Sequence, residues 1–258
     1  MVILSQILIH SFYEKSSLKS FKKLTINNYS TPEFIYFDLD NTLLDHSAAE
    51  RKALEDVKSH FDILDDVGLE EWQQKYHENN SRLWDRYGRH EIDRKYLQRH
   101  RFEDTLESLG LDGSVYDEMG TYYMERYPFH WQWMEGARHA YYSIVTDYEV
   151  GILTNGFAET QKKKFEKFNF GESATHLVIS EDTGYMKPQP QVFEYATRLA
   201  GTNPESILYI GDSYTSDIQG ATAIGWKTAW YTNDNNPDRM SEADIVFDDF
   251  NDLISILL

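Results

Sequence analysis

The chain has 258 residues, 41 % of them hydrophobic, with a net charge of −18 and no cysteine. That length buries one large core or two smaller ones. The acidic excess argues against a nucleic-acid polymer as partner, no apolar run reaches the roughly 20 residues of a membrane helix, and disulfides, thiolate metal sites and a cysteine nucleophile are excluded.

Residues 1–32 carry four lysines (Lys15, Lys19, Lys22, Lys23) against one acid, Glu14. The opening stretch lacks the basic start and small-residue cleavage site of an export signal. It reads as a peripheral N-terminal extension before the domain proper. With the cysteine-free composition, the expectation is a cytoplasmic protein. The first strand is expected over 34–37 (FIYF), running straight into Asp38-Leu39-Asp40-Asn41-Thr42. Residues 47–127 read as helices, with apolar positions recurring at three and four residues, such as Trp72, Tyr76, Leu83, Trp84 and Tyr87. Gly110 and Gly113 mark a break between helices, and 128–136 (PFHWQWMEG) reads as a return linker.

Then the pattern changes. Strands are expected over 150–153, 176–179, 207–210, 228–231 and 245–247. Helices are expected between them, over 159–168, 191–200 and 217–223, with a last one at the C-terminus. Strands alternating with helices predict an α/β fold, a doubly wound parallel sheet covered on both faces. In such sheets ligands bind beyond the carboxyl ends of the strands. Four strand ends carry polar residues: Asp38 with Asp40, Thr154 with Asn155, Ser180 with Lys187 nearby, and Gly211 with Asp212. A parallel sheet brings them to one edge.

Two aspartates one residue apart repel, and stay ionised together only beside positive charge. A carboxylate at Asp38 can attack phosphorus and split one hard hydrolysis into two easier steps. Asp40, on the same face by strand alternation, suits a general acid and then a base. Mg²⁺ takes oxygen ligands and keeps several waters. It would let Asp38 meet a phosphate dianion, with Asp212 as a second ligand and Asp217 holding a metal-bound water. Thr154 and Asn155 can hold phosphoryl oxygens, and Lys187 adds charge where the transition state needs it.

These residues carry a family resemblance. DLDNT at 38–42, ILTNG at 152–156, MKPQPQVF at 186–193 and GDSYTSD at 211–217 resemble, in order and spacing, the four signature motifs of the haloacid dehalogenase (HAD) superfamily. The resemblance spans about residues 33–258. It implies a HAD-like Rossmannoid core over 33–46 and 130–258, with a helical C1 cap, a mobile lid, over 47–129. It implies Asp38 as nucleophile, Asp40 as acid/base with its main-chain carbonyl also on Mg²⁺, Thr154 and Lys187 on phosphate, and Asp212 on metal. LTNGFAETQ, VISEDTGYMKPQPQVFEYA and GWKTAWYTN resemble segments of the pyrimidine 5'-nucleotidase group. The expected function is a Mg²⁺-dependent phosphomonoesterase acting on a small phosphorylated metabolite, a nucleoside 5'-monophosphate with pyrimidine preferred.

Other readings compete. An FMN or sugar-phosphate phosphatase, or a phosphomutase, would use the same motifs. A haloacid dehalogenase would lack Asp40 and need no Mg²⁺. A scaffold protein would be free to lose these groups, and all are present. An EF-hand wants Gly and Glu where Leu43 and Ala49 stand. The cap aromatics Trp84 and Tyr87 either stack on a base or pack helices. Ser180 reads as a strand-end residue without a direct role, the nine histidines lack H-x-x-x-H spacing, and the sequons NYS (28–30) and NNS (79–81) are chance matches in a cytoplasmic protein.

Overall fold

The computed structural model describes residues 24–27 and 29–258. The lysines and Glu14 of the expected extension, and Asn28 of the first sequon, lie outside the described residues. Among the described residues, seven strands form one sheet: β1 (Leu24–Ile26), β2 (Phe34–Phe37), β3 (Glu149–Thr154), β4 (Ala174–Ile179), β5 (Ile207–Gly211), β6 (Lys227–Tyr231) and β7 (Ile245–Phe247). Their order is β1-β7-β6-β5-β2-β3-β4. The last six in that order are parallel, and β1 runs antiparallel to β7. The chain winds outward from β2 through β3 to β4, then returns to build β5, β6 and β7 on the other side. A crevice at that reversal is where such sheets take ligands.

β1 departs from the sequence expectation. Its three residues pair with β7, and the Asn27 amide donates to the carbonyls of Met240 (2.8 Å) and Ala243 (2.7 Å). The end of the expected extension therefore belongs to the sheet. An antiparallel edge strand covers ladder groups that β7 would otherwise expose.

β2 is buried along its whole length because it sits between β3 and β5. Its side chains alternate. Ile35 and Phe37 face a core built with α5 (Ala137–Ile144) and the C-terminal helix, Phe250–Leu257. Phe34 and Tyr36 face the opposite core, with α8 (Pro190–Ala200) and Trp226. This two-sided burial explains the unbroken apolar run.

The insert is a four-helix unit: α1 (His46–His60), α2 (Leu69–Gly88), α3 (Arg94–Ser108) and α4 (Tyr116–Arg126). It has its own core, including Leu54, Trp72, Tyr76, Phe102 and Tyr123. Asp45 caps α1 by accepting from the Ala48 N–H, and Asp93 caps α3 by accepting from Tyr96. Of the five insert positions noted in the sequence, Trp72 and Tyr76 are interior, whereas Leu83, Trp84 and Tyr87 turn toward the sheet domain. Trp84 packs on Phe157, ring centres 4.8 Å apart. Phe157 precedes α6 (Ala158–Lys167), which follows β3. The Tyr87 hydroxyl donates to Glu181 (3.4 Å), in the short α7 (Ser180–Thr183), and the Arg94 guanidinium reaches Glu181 at 3.4 Å. Packing at the seam thus engages both aromatics.

Candidate active site

The site is assembled at the C-terminal ends of β2, β3 and β5. Phe37 lies opposite Ile152 and Ile210 in the register, so Asp38 emerges between its two neighbours, and its N–H donates to Ile210 O (2.8 Å). The chain then turns sharply. Asn41 takes the left-handed conformation (φ 62°) that Asn tolerates better than most residues. Its side-chain carbonyl accepts from Ser47 N–H (2.9 Å), and the N–H groups of Leu43 and Leu44 donate back to Leu39 O. This turn holds Asp38 and Asp40 at the sheet edge with Thr42 between Asp38 and Asp212, 3.3 Å from each.

Asp38, Asp212 and Asp217 offer carboxylate oxygens all within 4.8 Å of one another. Lys187 is buried among them. Its ammonium donates to Asp38 (2.6 Å), Asp217 (2.8 Å), the Tyr209 hydroxyl (2.6 Å) and Leu153 O (3.3 Å). Asp217 does not open a regular helix as the sequence suggested. It lies in a π-helical turn, Tyr214–Gln219, and its second oxygen accepts from Ser213 N–H (2.9 Å). The wider turn bends the carboxylate back over β5. A Cβ on Gly211 would come within 2.4 Å of that oxygen, so only glycine admits the approach.

One ammonium cannot balance three carboxylates. Burial pushes the Asp38 carboxyl up to about 7, with Lys187 opposing and Asp217 and Asp40 adding to the rise. Burial, then Asp217 and Asp38, push Asp212 well above the usual carboxylate range. Burial works against the Lys187 charge, but Asp217 and Asp38 outweigh it and hold it above an ordinary lysine. An all-oxygen cluster with surplus negative charge fits a hard divalent cation.

The raised value has a consequence for stability. An unfolded Asp38 titrates near its ordinary 3.8, while the folded one stays protonated toward 7. The folded state binds more protons in between, so stability falls as pH rises through that window. A bound dication removes the repulsion. Melting curves should therefore show a larger gain from Mg²⁺ over EDTA at pH 8 than at pH 5. Equal gains at both pH values would contradict this.

Asp40 sits apart from that cluster. It accepts from the Lys164 ammonium (2.5 Å) and the Gln161 amide (2.8 Å). Burial raises its pKa, but Lys164, His46 and Gln161 outweigh burial and hold it below the usual range. Lys164 is itself 2 % exposed and lies 5.3 Å from the Tyr127 ring centre and 5.5 Å from that of Trp131. Sequence reasoning missed Lys164 and Gln161. The signal was the spacing 161–164 on one face of α6, one turn apart, just after the Thr154-Asn155 strand end. Lys164→Met should raise the Asp40 pKa. The acidic limb of the pH–rate profile should then move to higher pH, and an unmoved limb would contradict the coupling.

The remaining positions fall differently. Thr154 is fully buried, its hydroxyl donating to Asn155 O (3.1 Å). The Asn155 side chain is committed: its amide donates to Lys187 O (3.0 Å) and its carbonyl accepts from Lys187 N–H (2.9 Å). It clamps the lysine segment, a task its position alone did not reveal. Ser180 is buried and accepts from Gly156 N–H (3.3 Å), so it braces the loop after β3. Among the described residues, no helix is long and apolar enough to cross a membrane.

Residues 35–231 match the family model for haloacid dehalogenase-like hydrolases. The chain is 30 % identical to the pyrimidine 5'-nucleotidase PynA of Streptococcus pneumoniae, over 77 % of this chain and 83 % of that one. It is 30 % identical to the pyrimidine 5'-nucleotidase YjjG of Escherichia coli, over 77 % and 85 %. A magnesium-bound crystal structure of the HAD-hydrolase YfnB of Bacillus subtilis superposes with a TM-score of 0.78 at 26 % identity, covering 88 % of this chain and 99 % of that one. The α/β core, its strand-end carboxylates and the family match over most of the length lead to one conclusion: this chain belongs to the haloacid dehalogenase-like hydrolases.

Proposed function

We propose that the protein is a Mg²⁺-dependent phosphomonoesterase of the cytoplasm that hydrolyses nucleoside 5'-monophosphates, pyrimidine preferred. The observation that carries this reading is the division of labour between two neighbouring carboxylates. Asp38 lies in the acidic cluster, while Asp40 is held apart by Lys164 and Gln161 and lines a cavity under the helical insert. The nucleotidase names of two relatives support the substrate class.

Asp38 is the nucleophile. Its oxygen bonds to phosphorus as the bond to the leaving alkoxide breaks, giving an aspartyl-phosphate. Asp40 gives that alkoxide a proton. It then takes one from the water whose oxygen attacks phosphorus, which releases phosphate and restores Asp38. With Lys164 seated, Asp40 is ionised and fit for the second task. An incoming phosphate dianion raises its proton affinity by like-charge repulsion and suits it for the first. Asp38, Asp212 and the Asp40 carbonyl would hold Mg²⁺, with Asp217 in support. Bound there, the ion supplies neutralisation of the charge on the transferring phosphoryl group. Lys187, Thr154 and the loop at Asn155 hold phosphoryl oxygens; for Asn155 the main-chain N–H is the group left to do so. Residues 47–129 act as the cap over a core of 33–46 and 130–258.

Phosphate release from UMP, dTMP, AMP, FMN, glucose 6-phosphate, phosphoglycolate and p-nitrophenyl phosphate, with Mg²⁺ and with EDTA, tests the reading. The expected result is Mg²⁺-dependent release with UMP and dTMP ahead. Release that persists in EDTA, or a flat profile, would contradict the metal or the substrate class respectively.

A further inference from the structure

Tyr209 is fully buried on β5, and its hydroxyl has no task in the chemistry above. That hydroxyl donates to Leu153 O (2.7 Å) on β3 and accepts from the Lys187 ammonium (2.6 Å). A phenol has one proton to give, and Leu153 takes it. Toward Lys187 the oxygen therefore acts only as an acceptor. The ring is held as well. Phe193 meets it edge-on, ring centres 5.9 Å apart, and Trp226 packs on it at 6.0 Å.

A lysine ammonium has three N–H donors. Three short contacts use all of them: Asp38 (2.6 Å), Asp217 (2.8 Å) and Tyr209 (2.6 Å), with Leu153 O farther off at 3.3 Å. None is left for a phosphoryl oxygen, so one acceptor has to let go before Lys187 can hold the phosphoryl group. Asp38 is the one that changes during the reaction. As its oxygen bonds to phosphorus and the alkoxide departs, the carboxylate becomes one end of an acyl phosphate. It loses its charge there, and with it the strength of a charge-assisted hydrogen bond. Asp217 and Tyr209 keep their N–H groups. Two anchored donors fix where the third one points, toward Asp38 and the phosphorus bonded to it.

Resting on the phosphomonoesterase reading above, we infer that Tyr209 is a positioning residue for phosphoryl transfer. Its hydroxyl, committed to Leu153, holds one Lys187 N–H in place, so that the N–H released by Asp38 passes to a phosphoryl oxygen. The effect falls on the phosphoryl group, which every ester shares, and so is independent of the leaving group.

Tyr209→Phe removes the acceptor and keeps the ring. Leu153 O, no longer taken by the phenol, then draws the ammonium toward β3. The control is Tyr36→Phe. Tyr36 lies opposite Tyr209 in the β2–β5 pairing, is equally buried, and donates its hydroxyl to Ala196 O (2.9 Å) in α8. It loses the same group without touching the Lys187 contacts. The test measures kcat and KM on UMP and p-nitrophenyl phosphate, inhibition by inorganic phosphate and by orthovanadate, and melting curves. Vanadate takes five oxygen ligands, as phosphorus does in the transition state.

Tyr209→Phe should lower kcat and kcat/KM equally, about tenfold, on both esters. It should weaken vanadate by a similar factor and leave inorganic phosphate near its wild-type affinity, because only the transition state uses the released N–H. Tyr36→Phe should change none of these. Unchanged kcat and vanadate inhibition in Tyr209→Phe would overturn the inference. So would a loss confined to UMP, parallel losses for phosphate and vanadate, an equal loss in Tyr36→Phe, or a Tyr209→Phe protein that fails to fold, since the hydroxyl would then serve the fold alone. In each of these cases an active wild type leaves the phosphomonoesterase reading standing. No phosphate release by wild type from either ester would instead remove that reading, and this inference with it.

Discussion

Asp38→Asn is expected to abolish turnover, by roughly four orders of magnitude or more, without unfolding the protein. An amide cannot form the aspartyl-phosphate, and residues acting as one catalytic unit fail together when one is lost. The fold should survive for a specific reason. Burial already pushes the Asp38 carboxyl up to about 7, and Asp217 and Asp40 repel its charge. A neutral isostere relieves that repulsion and still reaches Thr42 and Lys187 by hydrogen bonds. Its melting temperature in EDTA at pH 8 should match or exceed that of wild type. A folded Asp38→Asn protein with full activity would exclude Asp38 as nucleophile, whereas a variant that fails to fold would contradict the electrostatic account.

Lys187→Met should have the opposite profile, losing both activity and stability. The ammonium is the one cation inside the Asp38–Asp212–Asp217 cluster among the described residues, and it donates to two of those carboxylates and to Tyr209. Removing one partner of a buried ion pair costs about 3–5 kcal/mol. For a chain of this size that is a drop on the order of 10 °C in melting temperature. The loss should shrink when Mg²⁺ enters the cluster, and at pH 5, where Asp38 is protonated. A Lys187→Met protein with wild-type melting at pH 8 in EDTA would show that Lys187 does not balance the cluster.

The two variants probe groups that differed in how openly the sequence displayed them. Asp38, Lys187 and Asp212 were legible because apolar strands mark their own ends, and a parallel sheet gathers those ends. The Asp217 position was legible, but not its conformation. The π-helical turn depends on the close approach to Gly211, a contact between chain positions that periodicity does not encode. Asn155 could be located at the site but not oriented, since its amide is fixed by the backbone of Lys187, distant in sequence. Lys164 was hidden inside the run Lys162-Lys163-Lys164. The first two are exposed, as a lysine run usually is, while the third points inward to Asp40.

The same limit applies to the helical insert. Glu50, Asn80 and Arg101 occupy buried faces of α1, α2 and α3, where polar residues blur the apolar stripe that announces a packed helix. They come together only when three helices pack, so no single segment advertises the cluster. β1 escaped notice because three residues beside a lysine-bearing stretch give no alternation to read. They become a strand by pairing with β7, more than two hundred residues away in sequence.

Acid quench during turnover of UMP with Mg²⁺, followed by peptide mass spectrometry, tests the central claim most directly. The account predicts a phosphoryl group on Asp38, absent from the Asp38→Asn protein. Steady phosphate release with no phosphorylated peptide, or with the phosphoryl group on another residue, would contradict it.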